Sequence, residues 1–479
     1  MLKATLTKLS RGLRSHSHTV QVQDAAESSA RPWGDDSPAR APKQPLINHL
    51  PLEVLSRIFI FALPNDEEFI KGKRPFMPPL PNPLSFCAVC SLWRSFALGT
   101  PQLWKRVFVY VPLSISGAEA RLKAAYLISW IERSAPLSLT LFISYGIGTS
   151  LVELGPEAPI VHVLNRYATR WGALYLQYAG NHLKTASELN SRLFSFDGWS
   201  SLQRIYSLRN YSGLKGDKAA PWGQLTHLEI CRNLPYREVL YIFKGCAKLE
   251  WLSICVESSA SFETPPCPII LHHVSFISLT ADGASISPIM QSICLPSLQD
   301  MSLRLFLWWQ TPINFVPILQ FLTRSACTLH KLKINASRAQ PKDLVRLLAH
   351  PSCNFLTSLT IDDGDLSAYG AVDEEVLRRL TLHQDDALCT RLKSLTLAHC
   401  IQVVQPWSFS TLLTMVESRI GSCAGQPQDE LLGYLNLEIK GVDKVKEKLD
   451  EIIKRSGMQY DGREIVLRFY QGCGLPCCR

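Results

Sequence analysis

Leu225-Thr226-His227-Leu228-Glu229-Ile230 returns as Leu249-Glu250-Trp251-Leu252-Ser253-Ile254, and the spacing of these apolar residues decides the fold. The same figure recurs as Val274-Ser275-Phe276-Ile277-Ser278-Leu279, Leu298-Gln299-Asp300-Met301-Ser302-Leu303 and Leu329-His330-Lys331-Leu332-Lys333-Ile334. Leu356-Thr357-Ser358-Leu359-Thr360-Ile361 and Leu392-Lys393-Ser394-Leu395-Thr396-Leu397 continue it. Trp171-Gly172-Ala173-Leu174-Tyr175-Leu176 fits ahead of them, and residues 202–208 occupy a slot out of register. Apolar residues at the fourth and sixth places put one face of a short strand inward, leaving the third and fifth places on the other face.

Starting positions from Leu225 to Leu392 step by 24, 25, 24, 31, 27 and 36 residues. The first three steps lie within the 20–29 residues of leucine-rich repeats, and the later ones carry insertions. Helical stripes lie between the strands, as in Val239, Leu240 and Phe243, in Leu344, Leu347 and Leu348, and in Leu377 and Leu380. Alternating strand and helix at this period predicts an α/β leucine-rich-repeat solenoid, with parallel strands on the concave face and helices outside. Residues 137–141 and 435–439 are expected as outer strands capping the stack, with 465–469 as a candidate last strand.

The concave row then carries Tyr175, His227, Glu229, Trp251, Ser253, Phe276, Ser278, Asp300, Ser302, Lys331, Lys333, Ser358, Thr360, Ser394 and Thr396. Trp251 and Phe276, on adjacent strands, are an aromatic anchor of the kind interfaces favour. Lys331 and Lys333 add positive charge one strand beyond Asp300. These five residues are the candidate target-binding set. The competing reading is that a loop or the carboxyl-terminal tail covers the aromatics.

Upstream, Leu50-Pro51-Leu52-Glu53-Val54-Leu55-Ser56-Arg57-Ile58-Phe59 reads as a helix start with proline in the first turn and an acid at the positive helix end. Pro64 stops that helix, and Pro75, Pro78, Pro79, Pro81 and Pro83 keep the next stretch extended. A second helix is expected from Leu84 through Ala88, Val89, Leu92, Trp93 and Phe96, followed by a short element at Pro101-Gln102-Leu103-Trp104. The apolar stripes are too wide for two such helices to bury against each other, which points to a partner.

Leu50-Pro51-x-Glu53-Val54-Leu55-x-x-Ile58-Phe59, then Cys87-Ala88-Val89-Cys90-x-x-Trp93-Arg94, then Pro101-x-Leu103-Trp104, resembles an F-box, and more narrowly the F-box-like proteins abundant in mushroom-forming fungi. An irregular leucine-rich-repeat array behind the module is also similar to that family. The resemblance implies a small all-α helical module that docks a Skp-type adaptor through Leu50, Pro51, Val54, Leu55, Ile58, Val89 and Trp93. Through the adaptor it implies a cullin scaffold, and hence a substrate-recognition subunit of an SCF-type ubiquitin ligase. The alternative is a non-catalytic leucine-rich-repeat scaffold outside ubiquitin transfer. The expected division is a disordered tail over 1–45, the module over 46–110 with a Pro-rich insertion at 64–83, the repeat array over 111–470, and a Cys-containing tail over 471–479.

The 46% hydrophobic content excludes a wholly disordered chain. No apolar run approaches the ~20 residues that span a bilayer, so no membrane partner is expected. Fifty basic against 41 acidic residues give +9, without a Lys/Arg block, which does not make a nucleic-acid binder. Fifteen cysteines are an odd count in a long chain, and Cys246, Cys327, Cys353 and Cys389 recur two or three residues before a motif leucine. They read as small buried hydrophobes in a reducing compartment, cytosol or nucleus. Residues 1–23 hold Lys3, Lys8, Arg11 and Arg14 and no acid, which also fits a mitochondrial transit peptide; a basic disordered tail is the plainer reading. Cys87 and Cys90 have zinc spacing but no second pair nearby, so helical core positions are expected instead. The search for a phosphate loop, a nucleophile elbow and a metalloprotease motif returns nothing, so neither an enzyme nor a cofactor is expected. The terminal Cys473, Cys477 and Cys478 do not form a prenylation box.

Overall fold

The structure, a computed structural model, describes residues 50–64, 82–111, 115–145, 159–178, 199–208, 222–256, 265, 267–306, 314–335, 339–362, 372–382, 385–402, 406–420, 432, 434–440, 451 and 464–470. The expected tails at 1–45 and 471–479, and the insertion apart from its two ends, lie outside the described residues. The chain divides into two compact units, Met1–Ser201 and Leu202–Arg479.

The first unit opens with α1 (Leu52–Ala62), α2 (Pro83–Cys87), α3 (Ser91–Leu98) and a 3-10 turn at Pro101–Leu103. Pro51 is the N-cap of α1 rather than a first-turn residue, and Leu63, extended ahead of Pro64, ends the helix. The single helix expected from Leu84 to Phe96 is two helices. Asn82 and Ser85 form a reciprocal capping box on α2, and Cys90 is the extended N-cap of α3. The apolar period runs on across the break, which is why the sequence reads as continuous. Cys87 and Cys90 are therefore half-exposed residues flanking the break, not core positions.

β1 (Arg106–Val111), α4 (Gly117–Arg133), β2 (Leu139–Tyr145), α5 (Pro159–Arg166) and β3 (Trp171–Tyr178) complete this unit. β1 pairs parallel with β2, and β2 with β3. This corrects the expected order: the strand around residues 137–141 is not outermost, because β1 lies outside it. Arg106–Val111 also straddles the expected junction at residue 110. The module is joined to these strands by indoles. Trp104 Nε1 donates to Ala97 O at 2.7 Å, and Trp130 Nε1 of α4 reaches the carbonyls of Trp104 and Arg106, each at 3.0 Å.

The second unit carries β4 (Arg204–Leu208), β5 (His227–Leu234), α6 (Tyr236–Gly245), β6 (Trp251–Val256), β7 (Ile269–Ile270), β8 (Phe276–Asp282), α7 (Gly283–Ser292), β9 (Ile293–Cys294) and β10 (Asp300–Phe306). It continues through α8 (Val316–Ser325), β11 (Lys331–Asn335), α9 (Pro341–Leu348), β12 (Ser358–Asp362), α10 (Glu374–Leu380), β13 (Ser394–Gln402), α11 (Pro406–Ile420), β14 (Tyr434–Lys440) and β15 (Glu464–Tyr470). Apart from the two-stranded β7–β9 pair, its strands form a parallel sheet in chain order from β4 to β15. β15 lies beyond β14, so residues 435–439 are penultimate and the candidate strand at 465–469 is the edge.

The sheet register follows the sequence motif. His227, Trp251, Phe276, Asp300, Lys331, Ser358 and Ser394, each third in its repeat, are successive cross-strand partners. The fourth and sixth places, from Leu228 and Ile230 to Leu395 and Leu397, are buried throughout. Burying each such side chain contributes roughly 1.5–3 kcal/mol, which makes this double row the core of the unit. The slot at residues 202–208 carries one extra residue: Ile205 faces Leu228, then the register shifts so that Leu208 faces Ile230.

One repeated backbone stitch enters each strand. The carbonyl of the second motif residue accepts two N–H groups of the next repeat, as Glu250 O does from Ser275 and Phe276 and His330 O from Thr357 and Ser358. Cys246, Cys353 and Cys389 occupy the turn before it, and each carbonyl accepts from the motif leucine three places on. These cysteines and Cys327 are free and buried. No helix of the described residues is long and apolar enough to cross a membrane, and no cluster of ligating side chains among them could hold a metal.

Candidate functional site

Two surfaces carry the residues singled out by sequence. In the helical module, Leu55, Phe59 and Ala62 face inward from α1. Phe59 stacks on Phe86 with centroids 4.4 Å apart and meets Trp93 at 4.9 Å. Ser56 and Thr100 hydroxyls lie 3.2 Å apart, and Arg106 donates to Pro64 O at 2.8 Å, closing α1 onto the rest of the module. Arg94 Nε donates to Cys87 O at 2.9 Å across the α2–α3 break.

With that interior formed, one flank of α1 remains apolar and open. Val54 is 42% exposed and Phe61 79% exposed, with Ile58 half-buried between them. Their i, i+4, i+7 spacing makes one helical stripe. Val89 in the break and Leu84 on α2 are also exposed apolar residues.

Among the expected adaptor contacts, Pro51, Val54 and Val89 are exposed, and Leu50 and Ile58 half-buried. Leu55 and Trp93 lie in the interior, where they set the position of α1 and α3 rather than offer surface. Phe61 was missed by sequence reading. Its signal was its place seven residues after Val54, beyond the end of the quoted motif.

The second surface is the polar face of the sheet in the Leu202–Arg479 unit. Trp251 and Phe276 lie parallel, 2° between planes and 4.8 Å between centroids. His227 stacks on the opposite side of Trp251 at 6.4 Å, and Tyr206 lies 5.9 Å from the same indole. Burial and the nearby Arg204 push the His227 imidazole below its usual value, which favours the neutral ring in this stack. Two strands beyond Trp251, Asp300 accepts an ion pair from Lys331 at 2.8 Å, so that lysine is neutralised rather than a free positive patch. Lys333 is exposed. The candidate target residues thus fall into an aromatic ladder, an ion pair and a bare cation, all third- or fifth-place residues on one face.

The first unit repeats the ladder with other residues. Phe108, Phe142 and Tyr175 stack on β1, β2 and β3 at 4.8 and 4.5 Å. Tyr175 was expected on this face, whereas Phe142 belongs to a strand expected as outermost and Phe108 to β1, which was not expected as a strand.

A family model described as F-box-like matches residues 47–110. The match spans α1, α2, α3 and the 3-10 turn, and takes in most of β1. Comparison of the chain with curated proteins gives no match.

Proposed function

We propose that this chain is the substrate-recognition subunit of an SCF-type cullin–RING ubiquitin ligase. In this reading the module docks a Skp-type adaptor and, through it, the cullin scaffold. The residues from 111 to 470 act as an irregular leucine-rich-repeat solenoid, resembling the fungal F-box family, and hold a target protein. Ubiquitin chemistry belongs to other subunits; this chain contributes proximity, and works in cytosol or nucleus.

The observation that carries the reading is the F-box-like match over 47–110 on a module whose α1 leaves Val54, Ile58 and Phe61 as an open apolar stripe. An apolar stripe beside a filled core is stabilised by a partner that removes it from water. Pro51 and Val89 join that contact, and Leu50 borders it; Leu55 and Trp93 act from beneath by fixing the helices. On the sheet face, Trp251, Phe276, Asp300, Lys331 and Lys333 meet the target.

The test is capture of purified Skp-type adaptor by the full chain, alongside a Val54→Asp/Phe61→Asp variant. Each buried apolar side chain contributes about 1.5–3 kcal/mol, so the double variant loses binding by two orders of magnitude or more. Both positions are exposed, so the variant keeps its circular dichroism spectrum. Failure of the parent protein to capture the adaptor sinks the ligase reading.

A further inference from the structure

The aromatic ladder is built so that a partner meets ring edges. One face of Trp251 is covered by Phe276 at 4.8 Å, and its register partner on the other side, His227, flanks the second at 6.4 Å. The gap on either side of Trp251 is too narrow for a sugar ring or a quaternary ammonium to slip in against the indole. Ring edges carry the positive end of the aromatic quadrupole, so the ladder favours apolar side chains and oxygen acceptors over cations.

The ladder is flanked by charge of both signs: Glu229 stands on the β5 side, in register with Ser253, and two cations stand on the β10–β11 side. Arg304 and Lys333 project from the polar face of β10 and β11 and are exposed. Their cross-strand partners are neutral: Thr280 and Asn335 for Arg304, Ser302 and Thr360 for Lys333. Two of the acids on this face are already engaged. Asp300 holds Lys331, and Asp282 caps α7 by accepting from Ser285 N at 2.6 Å. Among the described residues neither Arg304 nor Lys333 has a carboxylate within ion-pair distance, although Asp362 borders them at the end of β12.

We propose that the sheet face binds an extended acidic peptide segment, with a large apolar side chain against the Trp251–Phe276 edges and a carboxylate between Arg304 and Lys333. Strand steps and register together set the spacing. Arg304 lies four residues along β10 from the row of Trp251 and Phe276, and Lys333 two residues along β11. With ~4.8 Å per strand step and ~3.3 Å per residue, the two cations lie about 12–16 Å from the aromatic pair, which an extended chain covers in about four to five residues. The inference deepens the target-recognition reading and rests on it.

An array of ten-residue peptides tests this with the full chain as probe. Each peptide carries one phenylalanine, with glutamate two, four, five or seven places later, in a glycine–serine background; glutamine and lysine replace glutamate in controls. Spots with glutamate at four or five places are expected to bind best, and their glutamine counterparts to fall about fivefold. Arg304→Glu/Lys333→Glu, a change confined to exposed positions, should abolish that preference and shift it towards the lysine peptides. A blank array overturns the proposal, as does equal binding of acidic and basic peptides or binding indifferent to the double reversal. The adaptor capture is measured on the same preparation. A chain that captures adaptor but ignores the array loses this inference alone, and one that fails with the adaptor loses the ligase reading first.

Discussion

The Arg419 guanidinium donates from Nη1 to the carbonyl oxygen of Cys389 at 2.9 Å, at full burial. Its other donors go to Leu380 O at 2.7 Å and Leu388 O at 2.8 Å. One side chain from α11 thus satisfies three carbonyls around the turn that enters β13. That turn needs support, because Cys389 adopts a left-handed φ of 51°, which disfavours any residue with a Cβ. Burial lowers the guanidinium pKa to about 10, still far above neutrality, so the group is a cation held by backbone dipoles.

Replacing that cation with methionine leaves three buried acceptors unpaired, each costing about 1–3 kcal/mol, while relieving the burial of a charge. Arg419→Met should therefore lower stability by about 2–4 kcal/mol in urea unfolding, and Arg419→Lys should fall between the two. An Arg419→Met protein as stable as the parent would show that the carbonyls find other partners.

The cysteines of the repeat turns should be chemically silent. Burial pushes the thiols of Cys246 and Cys389 up to about 12, and that of Cys353 upward as well. At pH 8 a thiol of pKa about 12 is roughly one part in ten thousand thiolate, and the thiolate is the nucleophile. Exposed Cys267 is expected to take iodoacetamide in the native protein while these three react only in denaturant, read site by site by mass spectrometry. Rapid native labelling of Cys353 would mean that its repeat opens locally.

These turns also show how much could be read in advance. Motif places three, four and six in the sequence are the register, inner row and inner row of the sheet from His227 to Leu397, because each repeat must bury the same two side chains against its neighbours. What escaped lies where two signals compete. Val107-Phe108-Val109-Tyr110-Val111 has strong strand composition, yet it follows a helical module so closely that it was counted with it. The α2–α3 break was hidden by an apolar period that continues through it, and by a cap at Cys90 that is not one of the preferred N-cap residues. On the candidate surfaces, identity was legible and exposure was not. Val54 and Leu55 are equally apolar neighbours, and only the packed core shows that one faces out and the other in.

The α2–α3 break gives a third prediction. Cys90 caps α3 with a thiol, its Sγ accepting from Trp93 N at 3.5 Å, and sulfur is a weak acceptor. A hydroxyl in the same place is a preferred cap. Cys90→Ser is expected to stabilise the protein by about 0.5–1 kcal/mol, and Cys90→Ala to be neutral or slightly destabilising. Thermal unfolding of the two variants decides it; a serine no better than alanine would mean that the thiol distance is not a working cap.

The last prediction concerns acid. Asp386 accepts from Arg378 at 2.9 and 3.1 Å and from Arg379 at 2.6 Å. Arg378 also holds Glu375 at 2.8 Å, so two carboxylates share one guanidinium on an exposed flank of α10. Hydrogen bonds from Arg378, with a further one from Arg379, pull the Asp386 carboxyl down to about 2 from an ordinary 3.8. A depressed carboxyl favours the folded state at every pH above its unfolded value, and the contribution disappears as pH falls from about 4 to about 2. A carboxyl-detected NMR titration should place the Asp386 midpoint near 2, and Arg378→Ala should return it most of the way to 3.8. Asp386→Asn should be less stable than the parent at pH 6 and indistinguishable from it near pH 2, with a small difference because the cluster is solvated. A midpoint near 4 in the parent protein would mean that the bridges are too mobile to hold the charge, and the pH-dependent difference would vanish with them.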